Sequence, residues 1–377
     1  MRGISDSAAS QSMPVYPGAE GVKLLHPERD TPEVSHLPVV SVLMLSLNRA
    51  EMIVRAIDSV MAQDYPRIQF VIKDGQSTDG TLEIIRGYGD GVTLICGPDA
   101  GAQDAHLQGL KCCKGDVLTM CWTDEELAPG CVAWGVEHLL ANPELGGVYG
   151  DVISTDDRGR RLGPRQRPGQ AQWELLRYLS WDILPSYAGS FVWRRRLEAS
   201  GFYDDPACIM YDYYAKLGLR WPVRYVPGYV AKFSVHRDQI SSTREGVHEM
   251  LGTISVSVDR LMAHPDTPAE VRRAERRIRA GIFLSVIPTL LTNLGDVDEA
   301  LLMLRRALQL EPEERQLARV AWEAYDYLLK KRHYAQAQRF FDAIWTTHHR
   351  IPGLNWGRAM SLILQHRFDE VAQVVYS

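Results

Sequence analysis

Carboxylate side chains follow two short apolar runs in the first third of the chain. Asp74 comes after Phe70 to Ile72. Asp124 and Glu125 come after Val117 to Cys121. A carboxylate at the end of a strand could accept a hydrogen bond from the N–H of a nucleobase such as uracil. Neighbouring carboxylates suit Mg²⁺ or Mn²⁺, which can neutralise a leaving diphosphate. Their positions at strand ends indicate a nucleotide-binding site.

Alternating strands and helices should bring these side chains together. The apolar runs Val39 to Leu45 and Phe70 to Ile72 predict two strands, and Ile53 to Met61 between them has helical spacing. Further strands are predicted at residues 92–96, 117–121 and 148–152. This alternation predicts an α/β domain with a mixed, mostly parallel sheet between helices. Ligands of such sheets bind at the carboxyl ends of the strands, so the polar loops should face one crevice.

The same stretch resembles the opening of the family 2 glycosyltransferases. Asn48 and Arg49 match the turn after the first strand, Ser59 to Pro66 match the end of the first helix, and Ser77 to Thr81 match the acidic loop. The resemblance implies a GT-A-like fold and an inverting, metal-dependent transfer of sugar from a nucleotide-diphospho-sugar. A UDP-sugar is the favoured donor, and the acceptor would be a hydroxyl of a glycan, a lipid-linked molecule or a protein.

The resemblance also implies which residues bind the nucleotide-sugar. They are Ser46, Asn48, Arg49, Asp74, Asp104 and Asp124. For Asp104 the alternative is a cap for the helix that follows, and for Asp79 a turn or cap is preferred. Leu47 stands where relatives often carry an aromatic ring that stacks on the base, so base recognition should differ here.

Two residues are expected at the metal, which would be Mg²⁺ or Mn²⁺. Glu125 stands where the relatives carry a metal ligand, and Asp124 before it would contact the ribose side. His236 matches a histidine that lies near the diphosphate or metal in relatives, with a surface or capping role as the alternative.

Asp212 is the predicted catalytic base. Relatives carry two acidic residues in this region, and the first of them usually removes the acceptor proton. Met210 occupies that first position here. The alternatives are that Asp204 or Asp205 acts instead, or that the chain binds nucleotide-sugars without turnover.

The acceptor is expected to bind between Trp181 and Trp193. Trp181 could stack on a sugar face, and Tyr187 lies in the same stretch. The small residues around Gly189 would leave room for a ring.

Composition limits the remaining possibilities. The chain has 377 residues, an apolar content of 45%, a charged content of 24% and a net charge of −5. These values predict an ordinary globular protein and give no indication of nucleic-acid binding. The longest apolar stretch, Ile282 to Leu294, is too short to span a bilayer, so a cytoplasmic protein is expected, with at most peripheral contact at the inner face of the membrane. Six cysteines without a C-x-x-C pair favour buried, reduced thiols.

The chain is expected to divide into four parts. They are a disordered leader at 1–37, a GT-A-like domain at 38–245, a linker or helix at 246–266 and a helical tail at 267–377. Within the tail, segments 296–300, 333–337 and 367–371 echo one another at a period close to that of tetratricopeptide repeats. Such a tail could bind a protein partner, and an alternative reading makes the whole chain a scaffold acting through it.

Overall fold

The structure is a computed structural model that describes most of the chain between Leu37 and His348. The described ranges are residues 37–156, 160–164, 175–181, 185–202, 210–236, 239, 243–310 and 312–348. The predicted leader, apart from Leu37, and the third helical echo at 367–371 lie outside these ranges. From Pro38 onward the described residues belong to one compact unit.

Four parallel strands build the first half of the sheet. The strands are β1 (Val40–Ser46), β2 (Ile68–Asp74), β3 (Thr93–Cys96) and β4 (Val117–Met120), and the helices between them are α1 (Ile53–Met61), α2 (Thr81–Arg86) and α3 (Ala102–Cys112). β1 lies between β2 and β4 and is buried along its whole length, as expected for a central parallel strand. Ser46 pairs with Asp74, and Asp74 pairs with Cys96, so three strands end at the same edge.

The second half of the sheet is mostly antiparallel. Its elements are β5 (Glu125–Leu127), α4 (Cys131–Ala141), β6 (Gly147–Thr155), β7 (Arg161–Pro164), α5 (Leu175–Leu179), β8 (Ser190–Trp193), α6 (Arg194–Ala199), α7 (Met210–Gly218) and β9 (Val223–Ser234). In the described residues the sheet has nine strands in the order β3-β2-β1-β4-β8-β6-β9-β5, with β7 paired to β6. β8 is antiparallel to β4 and β6, β9 is parallel to β6, and β5 is antiparallel to β9.

The pairing of β6 with β9 contains an irregularity. Tyr149 pairs with Tyr225, Asp151 with Tyr229 and Val152 with Ala231, so the register shifts twice and β9 advances six residues while β6 advances three. Asp151 bridges the bulge, because its carboxylate accepts hydrogen bonds from Tyr225 Oη at 2.8 Å and from Gly228 N at 3.1 Å. The carboxylate thereby holds the extra residues of β9 in place.

Helices follow β9. They are α8 (Arg244–Ala263), α9 (Ala269–Arg273), α10 (Glu275–Ser285), α11 (Ile287–Thr292), α12 (Val297–Leu308), α13 (Glu314–Lys330) and α14 (Tyr334–His348). The predicted linker at 246–266 falls mostly within α8. The first two echoes begin α12, which Asp296 caps through its side chain, and α14. That these helices are tetratricopeptide repeats stays a prediction.

One apolar core continues from the sheet into the helical region. It includes Leu43 of β1, Leu179 of α5 and Leu217 of α7, and it extends to Val258 of α8 and Ile278 of α10. Helices α8 and α10 therefore pack directly on the α5 and α7 side of the sheet domain. Among the described residues, no helix is long and apolar enough to cross a membrane.

Candidate nucleotide-sugar site

The loops after β1 and β2 are joined by hydrogen bonds. Asn48, with a φ of 53°, donates from its backbone N to Ser77 Oγ at 2.8 Å and accepts at Oδ1 from Thr78 N at 2.9 Å. The backbone N of Arg49 donates to Thr81 Oγ1 at 2.8 Å. The structure thus brings Asn48 and Arg49 to the acidic loop, as a shared crevice requires. Their predicted contact with a nucleotide-sugar stays a prediction.

Asp74 stabilises the turn that follows β2. It is fully buried, and its carboxylate accepts from Ser77 N and from Ser77 Oγ, both at 2.7 Å. These bonds close the turn after β2, because the carboxylate holds both polar groups of a residue three positions further on. Ser46, paired opposite Asp74 at the end of β1, is also buried. Both residues therefore lie in the floor beneath the joined loops.

A buried ion pair beside this floor was not anticipated from the sequence. Lys73 has a fully buried side chain, and its Nζ donates to Asp99 Oδ2 at 2.7 Å and to Gly97 O at 2.8 Å. Asp99 Oδ1 also accepts from Gly101 N at 3.1 Å. A Cβ on Gly75 would come within 3.0 Å of Asp99 Oδ2, so Asp99 borders the loop after β2 as well. The pair ties the β3–α3 loop to the end of β2.

Asp104 lies within the first turn of α3 rather than at its N-cap. Gly101 occupies the N-cap position, and Asp104 Oδ2 accepts from Ala100 N at 2.9 Å and from Gln108 Nε2 at 2.8 Å. Asp104 is therefore not the N-cap residue of α3, although its carboxylate accepts a hydrogen bond from the backbone just before the helix. The half-buried carboxylate stabilises the same β3–α3 loop that Lys73 holds.

The acidic turn after β4 places Asp124 against His236. Asp124 Oδ2 lies 3.3 Å from His236 Nε2 and 3.3 Å from Gln239 Nε2. Both side chains of the Asp124–His236 pair keep some exposure, 17% and 13% respectively. Antiparallel pairing of β5 with β9, including a bond from Ser234 N to Asp124 O at 2.9 Å, fixes this arrangement. Two residues 112 positions apart thus meet at the strand-end edge.

Glu125 points into the protein. It is 1% exposed, and its carboxylate accepts from Trp122 N at 3.1 Å and from Ser186 Oγ at 3.0 Å. Among the described residues, no three His, Cys, Asp or Glu side chains form a group that could hold a metal. A carboxylate and an imidazole converge at Asp124 and His236 with partial solvent access. The predicted binding of a metal by Glu125 and His236 stays a prediction. Glu125, as oriented, ties the acidic turn to the Ser186 segment.

Asp212 contacts the helical region. It is 4% exposed, and its Oδ2 accepts from Ser257 Oγ at 2.5 Å and from Arg260 Nη2 at 2.9 Å, both on α8. A general base must reach the acceptor hydroxyl, whereas these contacts join α7 to α8. The alternative bases Asp204 and Asp205 lie outside the described residues. The role of Asp212 as base stays a prediction.

The predicted acceptor residues have different environments. Trp181 is half-buried with a φ of 59°, and Tyr187 donates its hydroxyl to Met210 O with its ring edge-on to that of Trp122. Gly189 has a φ of 72°, and a Cβ there would lie 2.3 Å from Val230 Cγ2. The room expected at Gly189 is therefore filled by Val230. Glycine is needed there for close packing and a left-handed backbone.

The mixed sheet with its flanking helices is a GT-A-like fold. Residues 41–200 match the family model described as Glycosyl transferase family 2. Over 170 residues the chain is 28% identical to an uncharacterized glycosyltransferase of Mycobacterium tuberculosis, covering 44% of this chain and 63% of that protein. It is 29% identical over 119 residues to the hyaluronan synthase of Pasteurella multocida, covering 31% of this chain and 12% of that protein.

Solved structures agree on the fold. TarS 1-349 of S. aureus in complex with UDP superposes with a TM-score of 0.50 and 16% sequence identity, covering 82% of this chain and 90% of that chain. The same TarS fragment without ligand gives a TM-score of 0.50 and 17% identity, with the same coverage. At this identity the likeness establishes the GT-A fold alone.

Proposed function

We propose that this chain transfers a sugar from a nucleotide-diphospho-sugar, with a UDP-sugar favoured, to a hydroxyl of a glycan or another acceptor. The observation that carries the proposal is the meeting of Asp124 with His236 at the same sheet edge as the joined loops after β1 and β2. The family 2 domain at 41–200 supports the reaction class. The hyaluronan synthase among the similar proteins favours polysaccharide synthesis as the setting.

In the proposed reaction, the acceptor oxygen forms a bond to the anomeric carbon while the bond from that carbon to the diphosphate breaks on the opposite face. The acceptor proton passes to a base, and the nucleoside diphosphate leaves with the electron pair. Asp124 and His236 would hold Mg²⁺ or Mn²⁺, which supplies positive charge to the leaving diphosphate. The loop residues Asn48 and Arg49 would orient the nucleotide, above a floor built on Asp74.

The first test is calorimetric titration of UDP, GDP and common UDP-sugars, each with and without Mn²⁺. We expect metal-dependent binding that is lost in Asp124→Asn and in His236→Ala. Asp298→Asn, an acid-to-amide change on the outer face of α12, serves as the matched control and should bind like wild type. Absence of binding to all of these nucleotides in the wild-type protein would contradict the proposal.

Glu125→Gln separates the two assignments for this carboxylate. If Glu125 is a metal ligand, as the resemblance implies, the variant loses the Mn²⁺-dependent part of UDP binding. If it holds the Ser186 segment, UDP binding persists and only the transfer rate falls.

A second candidate function is nucleotide-sugar binding without turnover, and the contacts of Asp212 favour it. Because Asp212 bonds to Ser257 and Arg260, it is engaged in the protein interior. A protein with this function binds UDP-sugar but transfers no sugar. Asp212→Asn then changes the free energy of unfolding and leaves UDP-sugar binding unchanged. Loss of transfer by more than about a hundredfold in a folded Asp212→Asn would instead establish it as the base.

A further inference from the structure

Gln316 is a buried amide that joins three separate elements. It lies on α13 with 2% exposure, and its Nε2 donates to Ser180 O at 3.3 Å and to Gly281 O at 3.2 Å. Ser180 directly follows α5, and Gly281 lies in α10. A buried amide that loses its partners is destabilising, because its N–H groups then have neither water nor a protein acceptor. The two carbonyls therefore hold Gln316, and Gln316 in turn fixes the backbone after α5.

The packing at this junction leaves little freedom. A Cβ on Gly281 would lie 2.5 Å from Ser180 Cβ and 2.6 Å from Ser180 O. Such distances are shorter than real Cβ atoms adopt, so the backbone of α10 lies directly against Ser180. A shift of α10 or α13 would have to move the Ser180 backbone as well.

Ser180 precedes Trp181, the residue predicted to stack on the acceptor sugar. Trp181 has a φ of 59°, and its backbone N donates to Tyr178 O at 2.8 Å. A bulky residue in the left-handed region is strained and persists only where its surroundings hold it. The Gln316 junction is one residue away and supplies such a restraint.

A second connection holds the same region from the other side. Tyr178 Oη donates to Tyr211 O, and Tyr211 Oη donates to Leu179 O, both at 2.8 Å, which joins α5 to α7. Asp212 on α7 is in turn bonded to Ser257 on α8. Helices α8 and α13 therefore hold the α5–α7 pair at two separate points.

We infer that Gln316 is a positioning residue for the acceptor side of the site, through which the helical region sets the orientation of Trp181. This inference rests on the proposed function in one respect, namely that Trp181 contacts the acceptor. It gives the helical region a role in transfer that a separable scaffold would not have.

The test compares Gln316→Leu with Gln338→Leu in the full-length chain. Gln338 is a matched control because it is 8% exposed and its Nε2 donates only within α14, to Asp342 Oδ1 at 2.9 Å, among the contacts described. Three quantities are measured: hydrogen exchange of amides 176–181, the Kd of UDP with Mn²⁺, and KM and kcat for a panel of p-nitrophenyl glycosides as acceptors. Gln316→Asn, which shortens the amide by one methylene, replaces the leucine variant if that variant does not fold.

For Gln316→Leu we expect exchange at 176–181 to be at least tenfold faster and the glycoside KM at least tenfold higher, with kcat and the UDP Kd within twofold. Gln338→Leu should leave all of these unchanged. Equal exchange at 176–181 in the two variants, or a fall in kcat at constant KM, would overturn the inference. If the wild type binds no UDP and turns over no glycoside, the proposed function fails, and the exchange measurement still decides whether Gln316 holds this segment.

Discussion

Removing the partner of Lys73 should destabilise the chain strongly. The Lys73 side chain has 0% exposure and that of Asp99 has 11%, and Nζ lies 2.7 Å from Oδ2. At an effective dielectric constant of about 20, two unit charges at this distance attract by about 6 kcal/mol. Asp99→Asn keeps the shape of the side chain but removes its negative charge. The Lys73 ammonium then has only neutral acceptors among these contacts, including the carbonyl oxygens of Asp74 and Gly97. Since desolvation offsets part of the attraction, we expect the free energy of unfolding to fall by about 3–5 kcal/mol.

The double variant tests whether an unpaired charge is the cause. Lys73→Met removes the buried ammonium while filling its volume, and it leaves a carboxylate that keeps slight access to water. Lys73→Met combined with Asp99→Asn should therefore be more stable than Asp99→Asn alone, since no charge then remains buried without a partner. Because both residues hold the β3–α3 loop, the single variants should also weaken UDP binding.

Urea unfolding followed by circular dichroism measures these differences, provided that the m-value is constant across the set. Asp266→Asn is the control, because it breaks the exposed pair with Arg220, whose side chains are 59% and 43% exposed. It should cost less than about 1 kcal/mol. An unpaired buried charge is not the cause if Asp99→Asn costs as little as this control, or if the double variant is less stable than either single one.

Three other changes have defined outcomes. Burial lowers the pKa of His106 from 6.5 to about 3, so below pH 6.5 the unfolded chain binds a proton that the folded chain does not. As the pH falls from 6.5 to about 5, the free energy of unfolding measured with urea should decrease by about 2 kcal/mol. This decrease should be absent in His106→Leu. Gly281→Ala should lower the unfolding free energy by about 1–3 kcal/mol through overpacking, whereas Gly252→Ala, in a helix with nothing near its Cβ, should be neutral or stabilising by up to about 1 kcal/mol. Leu47→Tyr, at a 51% exposed position beside the β2 loop, should tighten UDP binding at least fivefold by stacking on the base, as calorimetry would show.

The parallel half of the sheet could be predicted because its signals are local. The apolar runs that became β1, β2, β3 and β4 are each bounded by polar turn residues, and the segment between the first two runs has helical spacing that α1 confirms. The sequence also predicted that the loops after β1 and β2 lie close together, since neighbouring parallel strands end at a common edge of the sheet.

Other features depend on pairs that are distant in sequence. Lys73 is a charged residue directly after an apolar run, which is a signal in itself, but its partner Asp99 lies 26 residues later in a loop. The inward orientation of Glu125 depends on Ser186, and the engagement of Asp212 depends on where α8 packs. No local pattern specifies such contacts, because the residue type allows either a ligand or a structural partner. The metal and base assignments therefore remained tied to the resemblance.

The bulge that Asp151 bridges has a consequence for how the length of this chain can vary. Side chains alternate between the faces of a strand, so the residues that β9 gains at the bulge decide which face each later residue occupies. Inserting one residue between Gly228 and Ser234 would reverse that alternation and turn His236 away from Asp124. Inserting two would preserve it. Natural homologues should therefore differ in this segment by even numbers of residues, or carry a compensating change in the bulge itself.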